Sequence, residues 1–372
     1  MNHPMRLVFY LILGLITCTS SAQQTINSSF TLDGVEREFI IYIPANYTGN
    51  TPVPLVLNLH GRSRTASNQM EFGDFRPIAD TAGFIIVHPQ GLKDMQGRLS
   101  WNYELTGDTA KDFKFIEALI DNLLSDYTID QDRIYGTGFS RGVFMCCQMS
   151  CRFGDRFAAV GGVAGSFVDS TGCGAFYPKP FIQIHGTNDM IWEYWKVDTL
   201  FPLIATYNKC DLEPTEVDLP NTNTSDNSTV TRVDYSGDAD AMPILHFRVN
   251  GGGHTWPGRG SSQPGTNYDI DASVEIWNFF AQYDRNGKRS TTSSQALSKG
   301  IFSISPQPAS SALKINFRDE HIQPIEITDG FGRVLISTDC PGKCEVDISH
   351  LAPGMYLLRT ESGTRKLVKA DL

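Results

Sequence analysis

Apolar and polar residues along this chain follow two rhythms, and the change between them falls near residue 285. Before it, short apolar runs alternate with amphipathic stretches. Phe30 to Val35 and Arg37 to Ile43 predict an antiparallel hairpin turning at Asp33-Gly34. Pro54 to Gly61 and Gly83 to Pro89 are apolar almost throughout, the pattern of strands buried on both faces. Across 111–127, Phe113, Ile116, Ile120, Leu123, Leu124 and Tyr127 recur at helical spacing, which predicts an amphipathic helix packed on the sheet. Further strands are predicted at Arg133 to Thr137, Phe181 to Ile184 and Ile244 to Val249. Asp271 to Tyr283, with Val274, Trp277, Phe280 and Tyr283, reads as a final helix. This β–α–β alternation argues for a mostly parallel sheet with helices on both faces.

The second rhythm begins after a polar, Ser/Thr-rich stretch, 285–299, which reads as a linker. From Ile301 onward, seven short β runs alternate with turns, which implies a small all-β sandwich at 300–372. The α/β part then occupies 23–284. At the start, Met1 to Arg6 is basic, and Leu7 to Ile16 is an apolar core too short to span a bilayer. Ser20-Ser21-Ala22 supplies small residues before a cleavage point at Gln23, so 1–22 is expected to be a signal peptide. A lipoprotein reading at Cys18 is disfavoured by Thr17. No later segment reaches ~18 consecutive apolar residues, so no stable membrane insertion is expected.

Charge narrows the partners. Lys and Arg number 31 against 41 Asp and Glu, a net charge of −10, and no basic run offers phosphate contacts, so nucleic acid is excluded as a partner. Export to an oxidising compartment makes the eight cysteines interpretable as bridge formers. Cys340 and Cys344 flank Pro341-Gly342-Lys343, a turn, and a local hairpin bridge is expected there. Cys146 and Cys147 lie on the predicted helix after Ser140, where at least one is a plain buried hydrophobe. No C-x-x-C pair and no histidine pair at helical spacing exists, so neither a metal nor a cofactor is expected.

The chemistry is carried by Gly138-Phe139-Ser140-Arg141-Gly142, a G-x-S-x-G between a strand and a helix. The glycines let both elements crowd together and push the serine hydroxyl over the sheet edge, with the helix N–H groups behind it. A serine nucleophile needs a base and an orienting acid, in chain order Ser, Asp, His for this fold class. Asp189 follows the strand ending in His185-Gly186, and His254 follows Gly251-Gly252-Gly253 after another strand. Asp112, which looks like a helix-start residue, and Asp198 are weaker rivals for the acid. His60-Gly61 ends its strand where a second oxyanion loop belongs, and His60 reads as an organiser of that loop. His88 and His185 read as core or supporting groups. Trp101 and Trp256 are either walls of an acyl or sugar subsite or members of the core.

The segments "LVLNLHG", "YGTGFSRGVFM", "FAAVGGVAGS", "IQIHGTND" and "GGGHTWPG" together resemble the secreted esterases grouped as the poly(3-hydroxybutyrate) depolymerase, LpqC-like and feruloyl esterase family, collinearly over residues 30–283. That resemblance implies an α/β-hydrolase fold with Ser140 as nucleophile, Asp189 as acid and His254 as base. It puts the oxyanion donors on the N–H groups of Arg141 and Arg62, and pairs Cys151 with Cys173. Where relatives carry a cysteine before the catalytic histidine, this chain has Ser236-Gly237-Asp238, leaving Cys210 without that partner. Many relatives have Gly or Ala where Arg141 stands; its guanidinium either attracts an anionic or hydroxylated substrate at the mouth or pairs with a nearby acid, and the pairing is the favoured reading. The tail resembles the C-terminal sorting domain of type IX secretion cargo. A sugar-binding sandwich would need exposed aromatics, and this one offers only Phe302, Phe317, Phe331 and Tyr356. The expected function is therefore a secreted serine esterase, of the feruloyl type on xylan. A poly(3-hydroxyalkanoate) depolymerase is the alternative within the family. A non-catalytic surface-binding protein is the alternative outside it, and the intact Ser, Asp and His in family order argue against that.

Overall fold

The computed structural model describes residues 23–102, 111–166, 178–258, 262–289, 302–306, 309–317, 322–328, 334–352, 354–360 and 363–370. The expected signal peptide, 1–22, and Cys173 lie outside the described residues. The chain divides into two compact units, with the boundary between Arg289 and Ser290.

The first unit opens with a hairpin, β1 (Gln24–Leu32) and β2 (Val35–Ile43), which turns at Asp33-Gly34 as the sequence implies. There follow β3 (Val53–Leu59), α1 (Ala66–Phe72), α2 (Arg76–Ala82), β4 (Ile85–Pro89) and α3 (Lys111–Asp126). Then come β5 (Ile129–Gly138), α4 (Arg141–Phe153), β6 (Ala159–Val163) and β7 (Phe181–Gly186). The unit continues through α5 (Tyr194–Asp198), α6 (Phe201–Tyr207), β8 (Thr215–Asp218), β9 (Thr229–Tyr235), β10 (Ile244–Asn250) and α7 (Ala272–Phe280). A two-residue pair, β11 (Tyr283–Asp284) and β12 (Gly287–Lys288), closes it. That pair extends structure a few residues into the stretch expected to be linker.

Ten strands form one sheet in the order β1-β2-β4-β3-β5-β6-β7-β10-β9-β8. The six central strands, β4 to β10 in that order, run parallel, and the outer pairs are antiparallel. Side chains alternate across each strand, so the sheet feeds two cores. Leu55, Leu57 and Leu59 join Phe113, Ile116, Ile120 and Met145 on one face. Val56 joins Phe72, Ala79, Ile276 and Phe280 on the other. Helices thus cover both faces of a mostly parallel sheet, as the sequence implies. The edge strand β8 exposes every residue of Thr-Glu-Val-Asp, and its charges discourage pairing with another chain.

The second unit is a sandwich of seven strands. Three form one sheet: β13 (Phe302–Ser305), β14 (Ala312–Phe317) and β17 (Lys343–Asp347). The other contains β15 (Ile322–Thr328), β16 (Val334–Pro341), β18 (Gly354–Thr360) and β19 (Gly363–Lys369). Leu313, Ile315, Ile325, Ile327, Leu358 and Leu367 fill the core between them. Cys340 and Cys344 are joined as expected, but not across a hairpin. β16 and β17 belong to different sheets, so Pro341-Gly342 is a corner and the bridge ties the two layers together.

Candidate active site

Because β3, β5, β7 and β10 are parallel members of one sheet, the loops after them emerge at a single edge. The loop after β5 carries Ser140. Phe139 N donates to Leu59 O at 3.0 Å and Ser140 N to Val163 O at 2.9 Å, and α4 begins at the next residue. Ser140 is thereby held at φ 52° and ψ −115°, in the left-handed region that a residue with a side chain seldom adopts. The flanking glycines are sterically required. A Cβ at Gly138 would stand 2.5 Å from Leu59 O, and one at Gly142 would stand 2.2 Å from it.

After β7, the buried Asp189 carboxylate is gripped from three sides. Its Oδ1 accepts from Ile191 N at 2.8 Å and Trp192 N at 2.9 Å. Its Oδ2 lies 2.7 Å from His254 Nδ1 and 3.2 Å from His185 Nε2. His185 Nε2 also lies 2.8 Å from Trp192 O, and since both oxygens only accept, that nitrogen carries the proton. His185 Nδ1 then accepts from Gln183 Nε2 at 3.3 Å, and the same amide donates to Gly165 O at 2.5 Å. Burial by itself would raise the Asp189 pKa. Hydrogen bonds from His185 and His254, the His254 charge and the Trp192 N–H outweigh it and hold the carboxyl well below the usual carboxylate range.

His254 reaches this carboxylate because Gly251, at φ 82°, turns the chain back after β10. With Nδ1–H facing Asp189, the neutral imidazole presents Nε2 as its basic atom. The Phe139 ring lies 4.8 Å from the imidazole, so His254 packs directly beside the residue that precedes Ser140.

The loop after β3 is pinned through His60. Its Nδ1 donates to Gly61 O at 2.8 Å, and its Nε2 accepts from Gly91 N and Gln90 Nε2, both at 2.9 Å. Burial depresses its pKa to about 4, so the ring is a neutral brace, as the sequence suggested. The Arg62 side chain turns to Asp94 Oδ2 at 2.7 Å and Gln96 Oε1 at 2.6 Å, and among the described residues its N–H has no acceptor.

Of the two readings open for Trp101 and Trp256, burial favours the core. Trp101 is 2% exposed and donates to His60 O at 2.7 Å, so it props the loop from within the core. Trp256 is also 2% exposed, bonded to Ser273 Oγ and packed against Phe72 and Phe75. Of the rival acids, Asp112 is buried in an ion pair with Arg37 at 2.5 Å, and Asp198 lies in α5 beside Tyr194. Cys146, Cys147 and Cys210 are free and buried. Cys151 is disulfide-bonded; its expected partner Cys173 lies outside the described residues. Arg64 and the exposed side chains of Met190, Ile191 and Trp195 were not anticipated. Their positions immediately after His60 and Asp189 are the one signal that could have marked them.

Residues 38–174 match the family described as Esterase PHB depolymerase, and residues 303–370 match the Secretion system C-terminal sorting domain. The chain is 27% identical over 265 residues to the bifunctional acetylxylan esterase/xylanase XynS20E of Neocallimastix patriciarum, covering 71% of this chain and 36% of that protein. It is 28% identical over 251 residues to feruloyl esterase C of Emericella nidulans, covering 66% of this chain and 83% of that one. Against poly(3-hydroxyalkanoate) depolymerase C of Paucimonas lemoignei, identity is 30% over 127 residues, 33% of this chain and 30% of the relative. A solved acetyl xylan esterase from Aspergillus awamori aligns with 70% of this chain and 98% of its own, at 17% identity and a TM-score of 0.49.

Proposed function

We propose, from the premise that this is a secreted carboxylic-ester hydrolase with a PHB-depolymerase-type esterase domain and a C-terminal sorting domain, that Ser140, His254 and Asp189 are its catalytic triad. The observation that carries the reading is the 2.7 Å bond between Asp189 and His254, set against the ring of Phe139 beside the strained Ser140. His254 Nε2 takes the Ser140 proton as Oγ attacks the ester carbonyl. Asp189 fixes the tautomer and stabilises the imidazolium. The N–H groups of Arg62 and Arg141 receive the oxyanion, each worth about 3 kcal/mol in the transition state. The alcohol leaves with the proton from His254, and water then releases the acyl group by the same route in reverse.

The substrate is an acyl ester on plant cell-wall polysaccharide, of the feruloyl or acetyl xylan kind; the named activities of the relatives support this. The second reading, a poly(3-hydroxyalkanoate) depolymerase, is favoured by exposed Met190, Ile191 and Trp195 beside the acid, which suit an apolar polymer. The type IX secretion machinery is the partner of the tail. The domain scheme is a signal peptide at 1–22, a catalytic domain at 23–284, a linker at 285–299 and a sorting sandwich at 300–372, and the contact boundary at Arg289 supports it.

A fluorophosphonate probe should label the protein at Ser140, and Ser140→Ala should not react. Labelling that persists in the variant would sink the assignment. Turnover of methyl ferulate, acetyl-xylan and hydroxybutyrate oligomers then ranks the substrates.

A further inference from the structure

Near Ser140 stands an arginine whose charge no carboxylate answers among the described residues. Arg62 is engaged with Asp94 and Gln96. Arg64, two residues on, makes no ion pair among the described residues. Its guanidinium carbon lies 4.1 Å above the Phe72 ring and 5.3 Å from the Phe139 ring. Burial lowers its pKa, and among the described residues no neighbouring carboxylate offsets that cost. Its backbone N–H closes the turn onto Gly61 O at 3.2 Å, so Arg64 rides on the same turn that presents the Arg62 N–H. Phe139, beneath it, is also the ring against which His254 packs, at 4.8 Å. The cation and the base therefore flank one aromatic side chain, immediately before the nucleophile.

The Phe72 and Phe139 rings, set at 81° to each other, hold the guanidinium against aromatic surface, and neither ring accepts its N–H groups as a carboxylate would, which leaves donors available to a planar anion. In a chain of net charge −10, a cation placed there marks the mouth as locally attractive to anions. We propose that Arg64 forms an anion subsite beside Ser140 that receives a carboxylate carried by the ester substrate near its scissile bond. This rests on the reading of Ser140 as nucleophile. The carboxylate has two chemical sources: an acidic sugar on the alcohol side, or the free end of a dicarboxylic half-ester on the acyl side.

Matched substrate pairs test this on the full chain. On the acyl side, mono(4-nitrophenyl) adipate is compared with 4-nitrophenyl hexanoate. On the alcohol side, an O-acetylated methyl glucuronoside is compared with the corresponding O-acetylated methyl glucoside. In one pair, wild type should favour the anionic member in kcat/KM by about 10- to 100-fold, the worth of charge-assisted hydrogen bonds. Arg64→Met should abolish that preference while leaving the neutral member within about 2-fold, and Arg64→Lys should keep part of it. Added salt should erode the preference. The pair that responds identifies the side of the ester that carries the charge. Equal turnover of both members by wild type, or an equal fall for both in Arg64→Met, overturns the subsite and leaves Arg64 as a brace on two rings. Neutral-ester turnover that Ser140→Ala abolishes keeps the esterase reading intact in that event; neutral turnover that survives Ser140→Ala defeats both readings.

Discussion

The loops after β3 and β7 emerge at the same sheet edge as Ser140, yet they are built oppositely. The His60–Arg64 loop is fastened from below: Trp101 holds His60 O, His60 holds Gly91 N, and Gly61 abuts the chain at Phe139 and Ser140. The Asp189–Trp195 loop is fastened at Asp189 and at Trp192, which bonds Asp189 and His185, and between and beyond them presents Met190 at 88%, Ile191 at 70% and Trp195 at 62% exposure. The contrast separates two tasks. Donors aimed at developing charge must not move during reaction, whereas a surface that meets a large substrate gains from standing in solvent.

Substitutions along each loop test that division, beginning with the largest effect. Asp189→Asn weakens a fastening point of the second loop and removes the carboxylate bonded to His254. It should lower kcat by about 10⁴-fold, measured on a small ester at saturating substrate. A variant within ten-fold of wild type would break the comparison at its base.

His60→Ala should strike the first loop. It strands the Gly91 N–H and leaves a cavity, so unfolding free energy should fall by about 3 kcal/mol in denaturant titrations. Unchanged stability would mean that the brace is idle.

Acid titration sharpens the same point. His60 titrates near pH 4 in the fold against 6.5 when free, with burial the cause; His88 and His246 fall to about 3 for the same reason. Between 6.5 and these values the unfolded chain binds the extra protons. The stability contributed by the neutral rings is therefore complete above pH 6.5 and is lost as pH falls toward 4 and then 3. Each histidine should contribute a slope of up to about 1.4 kcal/mol per pH unit. His60→Ala should show a shallower decline than wild type; an unaltered slope would mean that His60 does not carry its share.

The smallest effect belongs to the open loop. Trp195→Ala should leave the melting temperature within about 2 °C, as surface substitutions do. It should also leave small esters unaffected and raise KM several-fold for a polymeric substrate. A large loss of stability would show that this side chain is not the free surface that its exposure implies.

The sequence made the parallel core legible because its strands are runs such as Leu55-Val56-Leu57, apolar on both faces, and because Gly138 and Gly142 have no role except at a crowded elbow. Asp189 and His254 were legible from position, each just past a strand end. Strands β8 and β9 were not, since Thr-Glu-Val-Asp lies at a solvated edge and carries no hydrophobic period. The short helices α1, α2, α5 and α6, of five to seven residues, are too brief to show a 3.6-residue repeat. Trp101 and Trp256 were open to two readings because an indole beside a motif looks the same whether it faces substrate or core; burial, which only the fold assigns, decides it. Arg64 escaped notice because its lack of a carboxylate partner among the described residues is a fact of three-dimensional neighbourhood.

The backbone at Ser140 sets reactivity and durability against each other at one position. A side chain held at φ 52° costs about 1–3 kcal/mol that a glycine would not incur. Ser140→Ala should keep that burden and Ser140→Gly should shed part of it, so of two equally dead enzymes the glycine form should be the harder to melt. With Ser140 as the proposed nucleophile, the chain carries a standing mechanical tension at that residue, and a longer-lived fold is within reach of a single codon that would also end the proposed chemistry.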